Sequence, residues 1–396
     1  MRAALYAPGL GYYTAGATKL GVGGDFVTAP ELSPCFGAAL ADAFAAMGTT
    51  DVLELGAGSG KLARDFLLAS NGVRSYSILE VSADLRERQQ TLLAAQKITW
   101  LNALPDQIEG LVIVNEVLDA IPCEIVRFHN AHYEQARVVL LPTHEPQRGC
   151  DLQSPLPVKG RARVGMVFAP TSAENHPPPN LPLEGGGTTQ FVDTIRANGA
   201  GESENHFAWV WQPLQTGPLL DAAKLRVPPI EGYTTEINLE AEALVATLAA
   251  RLTHGALCLI DYGFPRREYY LPERSTGTLA CHYQQRVHFD PLILAGLQDI
   301  TAHVDFTAMA EAAVDAGASV ICYASQAQFL LHAGLLKRIE SYAFASDGQR
   351  ATALGAVQKL LSPAEMGELF KVLIVGKGAT VEQLAAFSAL DQSYRL

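Results

Sequence analysis

A chain of 396 residues, 48% hydrophobic and 18% charged, can bury a proper core and is long for one compact domain, so a core with a substantial insertion or a second domain is expected. A formal charge of −12 argues against a nucleic-acid surface, which normally shows a basic face, and suits a cationic ligand or target. No apolar run approaches the ~20 residues needed to span a bilayer, so membrane insertion is not expected.

The start, "MRAALYAPGLGYY", lacks the pattern of a secretory signal and is not Arg/Ser-rich like an organelle presequence, which points to a cytoplasmic protein. Cys35, Cys123, Cys150, Cys258, Cys281 and Cys322 are scattered without a CxxC pair, and the ten histidines include no HxxxH spacing. Reduced core cysteines and no metal site are expected.

Strand and helix signals then alternate. "DVLEL" (51–55) is a short strand closed by glycines, and "LARDFLLAS" (62–70) has helical spacing. "SYSILEV" (75–81) is a second strand, and "ADLRERQQTLLAAQ" (83–96) a second helix, with Ser82 as N-cap and Leu85, Leu92 and Leu93 on one side. "LVIVNEV" (111–117) is a continuous apolar run of the kind buried on both faces of a parallel sheet. The succession predicts right-handed βαβ crossovers and an open, doubly wound sheet.

Beyond Pro122 the pattern changes. "EIVRFHNAHYEQARVVLL" (124–141) alternates on both sides of "HNAH", as a hairpin would. Of the chain's 22 prolines, 13 lie between Pro142 and Pro229, and residues 171–190 have almost nothing large and apolar to bury, so no fold is assigned to them. "HFAWVWQPL" (206–214) is expected to return to the sheet or to a lid. A helix over 237–253, the strand "ALCLIDYG" (256–263), a helix over 305–316, the strand "SVICYA" (319–324), more helix and "FKVLIVGK" (370–377) complete a seven-stranded sheet. The expected organisation is an N-terminal lid and first half of the core (1–141), a proline-rich insertion, partly disordered (142–230), and the second half of the core with helical additions (231–396).

The turn "ELGAGSGK" discriminates between cofactors. A dinucleotide turn, GxGxxG, would require glycine where Lys61 stands, whereas this chain reads ExGxGxG over Glu54, Gly56, Gly58 and Gly60. A carboxylate at Glu54 would repel a pyrophosphate but attract the ammonium of S-adenosylmethionine. Glu80 ends the next strand, where an acid can accept hydrogen bonds from both ribose hydroxyls. Glu116 and Asp119, after the third strand, could clamp a cationic acceptor; the bland alternatives are a solvated strand-end acid and a helix cap. The loop of Asp25 and Glu31 reads as a lid, or as a capping segment with Thr28 starting the helix that contains "PCFGAALADAF". Asp305 reads as the cap of the following helix, His303 stays undecided, and Asp261 and Tyr262 could form a far wall.

Several segments together, "LYAPGLGYY", "GGDFVTAPELSPCFG", "LELGAGSGKLARDF", "ILEVSADLRERQ", "VNEVLDAIP", "IDYG" and "LQDITAHVDF", resemble the MidA family in content and order. The resemblance implies a Rossmann-like class I methyltransferase using S-adenosylmethionine and, by likeness to mitochondrial members that help assemble respiratory complex I, methylation of arginine on a protein substrate. A respiratory NADH dehydrogenase subunit is the implied partner. By motif it assigns Glu54, Gly56, Gly58, Gly60 and Glu80 to the cofactor. It places Asp25, Thr28, Glu31, Asn115, Glu116 and Asp119 along the reaction side, with Asn115 near the cofactor. Family members usually have a helical segment before "MRAALYAP" and a shorter connection in place of the proline-rich stretch. An assembly factor without essential catalysis, a small-molecule methyltransferase and a nicotinamide oxidoreductase are the competing readings.

Overall fold

Apolar runs flanked by glycine turns become buried parallel strands. The computed structural model describes residues 1–16, 28–48, 50–142 and 205–396. They fall into two units, each built from several stretches of chain: Met1–Tyr12, Ile121–Glu240 and Arg267–Ala302 in one, Tyr13–Ala120, Ala241–Arg266 and His303–Leu396 in the other.

The larger unit holds β1 (Thr50–Leu55), β2 (Val73–Leu79), β3 (Ile98–Leu101), β4 (Ile108–Asn115), β5 (Leu252–Phe264), β6 (Ser319–Ser325) and β7 (Phe370–Lys377) in one sheet, in the order β3-β2-β1-β4-β5-β7-β6. Neighbours run parallel except β7, which is antiparallel to both β5 and β6. This is the doubly wound sheet expected from the sequence. A two-residue strand, Val304–Asp305, too short to leave a periodic signal, adds an eighth strand beside the end of β5. Leu111–Val114 and Ala256–Ile260 are fully buried, because helices cover both faces of a parallel sheet. The strand order reverses between β1 and β4, which run parallel, and this switch point places a ligand crevice at their carboxyl ends.

Local chemistry sets the helix starts. Ser82 caps α3 (Ala83–Leu92) by accepting from the Leu85 N–H, and Asp305 caps Phe306–Asp315 by accepting from Ala308, as expected. Two expectations are corrected. The helix after Thr28 is broken: Ala29–Leu32 ends at Ser33, whose hydroxyl accepts from Cys35 N and starts α1 (Pro34–Ala43). In α3 the buried positions are Leu85 and Gln89, with Leu93 just beyond the helix, whereas Leu92 is exposed.

In the smaller unit, Glu124–His129 and His132–Pro142 form the expected antiparallel hairpin. Its two-residue turn puts Asn130 and Ala131 in the left-handed region, at φ 49° and 63°. The strand Asn205–Pro213 pairs with His132–Pro142, and Thr234–Ile237 with Glu124–His129. The expectation that 206–214 returns to the main sheet is therefore corrected: Trp209 and Trp211 pair across this separate four-stranded sheet. Arg127 binds it together, ion-paired with Glu134 at 2.6 Å and lying 4.2 Å over the Trp211 ring. Residues 143–204, including Cys150 and most of the proline-rich stretch, lie outside the described residues.

Candidate active site

Four strand ends of the larger unit converge on the crevice. After β1 the chain turns through Gly56, Gly58 and Gly60, at φ +61°, +54° and +82°, a conformation that side chains rarely adopt. A Cβ on Gly56 would lie 2.8 Å from Val117 Cγ2, and one on Gly60 would lie 3.3 Å from both Gln89 and Leu93. The turn is thus packed between the loop after β4 and helix α3, before α2 (Lys61–Ala69) begins.

Glu54 is 2% exposed and accepts a hydrogen bond of 2.8 Å from Tyr76 Oη. Burial first, and repulsion from Glu80 after it, push its pKa up to about 8, with the Tyr76 bond opposing. Burial thus favours its protonated form, and the carboxyl turns to Tyr76 on β2; the sequence expects this acid to attract the ammonium of the ligand. A cation bound nearby would favour the ionised form. Glu80 caps the end of β2 with both oxygens engaged, one by the Ser82 N–H at 2.9 Å and the other by Gln89 Nε2 at 2.9 Å. Burial raises its pKa, against those hydrogen bonds.

Beyond β4, Glu116 stands in the left-handed region at φ 53° and its N–H donates to the Ile260 carbonyl, so β5 holds it there. Its Oε1 accepts from Ala29 N at 3.1 Å and from Asn115 Nδ2 at 3.2 Å. The following residues are not helical, so Asp119 caps nothing. Asp261, at the end of β5, instead captures the Leu118 and Asp119 N–H groups with Oδ2, at 3.0 and 3.3 Å, and its own neighbour Tyr262 N–H with Oδ1. Burial drives the pKa of Glu116 to about 8 and that of Asp119 to about 6, with a hydrogen bond from Tyr262 opposing the rise at Asp119. Asp261 is raised well above the carboxylate range by burial and by the charges of Asp119 and Glu116. Three carboxyls, Glu116, Asp119 and Asp261, thus lie close enough at the ends of β4 and β5 for the charge of one to raise the pKa of another. Asp119 Oδ1 and Asn115 Oδ1 are buried there with no hydrogen-bond partner among the described residues.

The segment before α1 ties the two halves of the crevice. Glu31 accepts from the Ser59 hydroxyl in the glycine turn and pairs with Lys61, while Ala29 holds Glu116. Thr28 occupies the cap position before Ala29 without a side-chain cap bond, and Asp25 lies outside the described residues. His303 packs edge-on against Tyr262 and at a tilt against Phe264, at 5.0 and 5.3 Å between centroids, in an aromatic cluster at the end of β5. Gln89 was not singled out from the sequence. A glutamine on a predicted amphipathic helix reads as surface, and only its full burial reveals it.

These features fit S-adenosylmethionine: a glycine turn of left-handed backbone at the end of β1, an acid at the end of β2, and buried acceptors without hydrogen-bond partners among the described residues at the end of β4. The fold and the crevice define a class I methyltransferase. Residues 35–324 match a family described as "putative S-adenosyl-L-methionine-dependent methyltransferase", and the chain belongs to that family. The MidA-type resemblance read from the motifs agrees with it.

A Burkholderia thailandensis protein solved with S-adenosyl-homocysteine is similar at 37% identity and a TM-score of 0.78, over 100% of this chain and 90% of that one. A second crystal structure of a protein from that organism gives 37% and 0.74, with the same coverage. Among curated proteins, "Protein arginine methyltransferase NDUFAF7, mitochondrial" of Danio rerio is 26% identical, covering 97% of this chain and 83% of that protein. Its Drosophila melanogaster homologue is also 26% identical, over 99% and 84%. The protein is an S-adenosylmethionine-dependent methyltransferase. No helix among the described residues is long and apolar enough to cross a membrane.

Proposed function

We propose that this methyltransferase modifies arginine side chains of a protein substrate. The observation that carries the reading is the pair Glu116 and Asp119, with Asp119 Oδ1 buried and lacking a hydrogen-bond partner among the described residues. Like-charged carboxyls held close in a poorly hydrated wall keep protons unless a cation arrives. A guanidinium supplies that cation together with a fork of N–H donors matched to carboxylate oxygens. The names of the relatives from Danio rerio and Drosophila melanogaster support the same choice.

Bound S-adenosylmethionine supplies an electrophilic methyl group. The chain's own residues then have three tasks. Glu80 and the glycine turn hold the nucleoside part, and Asn115 offers an acceptor beside it. Glu116 and Asp119 grip two guanidinium nitrogens and turn a third towards the donor, and one of them takes the proton that this nitrogen loses when it gains carbon. Positioning supplies most of the catalysis, since no covalent enzyme intermediate is needed.

The proposed partner, by family likeness, is a subunit of a respiratory NADH dehydrogenase, met in the cytoplasm. Mass spectrometry of candidate subunits from cells with and without this protein tests the assignment. Loss of an arginine-localised increment of about 14 or 28 Da, one methyl being about 14 Da, is the expected result. Unchanged arginine masses throughout, with label from the donor appearing only on small molecules, would overturn it.

A further inference from the structure

We infer that Gln89 is a positioning residue for the methyl donor, fixing the Glu80 carboxylate and the glycine turn in the one arrangement that reads the ribose diol. The inference rests on the reading of Glu80 as the ribose acid. Gln89 is 0% exposed, on a helix whose other members are mostly polar and solvated. A buried primary amide is costly unless all of its groups are bonded, and these are. Nε2 donates to the Gly58 carbonyl at 3.0 Å and to Glu80 Oε2 at 2.9 Å, while Oε1 accepts from Trp100 Nε1 at 3.1 Å.

The Trp100 contact decides the orientation. An indole N–H can only donate, so it demands the amide oxygen and turns the NH₂ group towards the two acceptors. One side chain thereby ties together the turn after β1, the end of β2 and the strand β3. The Ser82 N–H holds the other oxygen of Glu80, so the carboxylate cannot rotate. Backbone hydrogen bonds from Gly58 and Val81 also favour the ionised Glu80, and two fixed acceptors side by side are what a vicinal diol requires. The stem contributes as well: a Cβ on Gly60 would come within 3.3 Å of Gln89 Cγ, so the turn rests directly on this residue.

A residue that only filled space would affect every ligand of the crevice alike. Titration calorimetry on the full chain separates the roles, using S-adenosyl-homocysteine and its 2′-deoxy analogue as probes and thermal unfolding as the folding control. Wild type should prefer the hydroxylated probe by about tenfold or more, the scale of a well-placed hydrogen bond. Gln89→Met, close in volume and unable to hydrogen-bond in this way, should bind S-adenosyl-homocysteine about tenfold more weakly and bind the deoxy analogue nearly as wild type does.

Equal weakening of both probes, or preference retained in a folded variant, overturns the inference. If Gln89→Met does not fold, Trp100→Phe carries the test. It keeps the glutamine and frees its amide to flip, so the preference should fall at least about threefold, and an unchanged preference overturns the inference. Glu80→Gln identifies which step is at fault. If it keeps the full preference, the reading of Glu80 itself fails. If it loses the preference while Gln89→Met keeps it, only the role of Gln89 fails.

Discussion

Replacing Gly56 by alanine tests the packing of the cofactor turn with one atom. At φ +61° an alanine pays about 1 kcal/mol for the left-handed conformation. The added Cβ also sits 2.8 Å from Val117 Cγ2, well inside van der Waals contact. Valine is stiff at χ1, so it cannot swing aside freely, and relief must come from a shift of the loop after β4. Overpacking of this kind costs about 1–3 kcal/mol, for a total of roughly 2–4 kcal/mol. In a unit of this size that is a fall in Tm of roughly 5–15 °C. Because the strain falls on the turn and on the loop carrying Glu116, affinity for S-adenosyl-homocysteine should drop by about tenfold or more. Differential scanning calorimetry and titration calorimetry on Gly56→Ala, with Val117→Ala and the double variant, complete a cycle. The two changes should be non-additive, the double variant recovering the steric part and keeping the backbone part. A Gly56→Ala protein with unchanged Tm and unchanged affinity would refute the reasoning.

Glu54 and Glu116 have folded pKa values raised to about 8. The folded protein therefore binds protons that the unfolded chain releases near its ordinary value of 4.5; the stability from this source is complete below that pH and is lost as pH rises through 8. Thermal unfolding should show Tm falling across this window less steeply in Glu54→Gln than in wild type, and equal slopes would count against burial as the cause. Since a guanidinium needs ionised partners, acceptor KM should improve as pH rises through about 6 to 8, following Asp119 and Glu116, and a flat profile would separate these acids from substrate binding. Glu116→Gln keeps an oxygen for the Ala29 and Asn115 donors, so binding of S-adenosyl-homocysteine should stay within about threefold while methyl transfer falls by about 100-fold or more, measured with radiolabelled donor. Asp261→Asn must aim an NH₂ group at backbone N–H donors on one side or the other, losing about 1–3 kcal/mol by chemical denaturation. Ala131→Gly, in the hairpin turn at φ 63°, should gain about 0.5–1 kcal/mol by the same assay, and a loss would refute the strain argument.

The main sheet was legible because its signals are local. "LVIVNEV" is continuous and apolar, and β4 is buried along Leu111–Val114 because a parallel strand meets helices on both sides. The caps Ser82 and Asp305 were readable for the same reason, since each bonds an N–H three residues on. The glycine turn and the two acids at 54 and 80 follow from spacing along consecutive strands.

Tertiary structure alone decided what each acid faces. Glu54 is turned to Tyr76 across the β1–β2 pair, a contact set by sheet register and invisible to a pattern read along one strand. Asp261, 142 residues from Asp119, organises the loop carrying it, because β4 and β5 lie side by side. Whether Gln89 is surface or core depended on Trp100 and Gly58 arriving from two other elements. Periodicity and turn chemistry act over a few neighbouring residues, so the sequence by itself determined most strands of the main sheet and the kind of ligand, but not the short strands Ile98–Leu101 and Val304–Asp305. Burial, hydrogen-bond partners and the resulting protonation depend on groups brought together from distant parts of the chain, and only the folded arrangement could settle them.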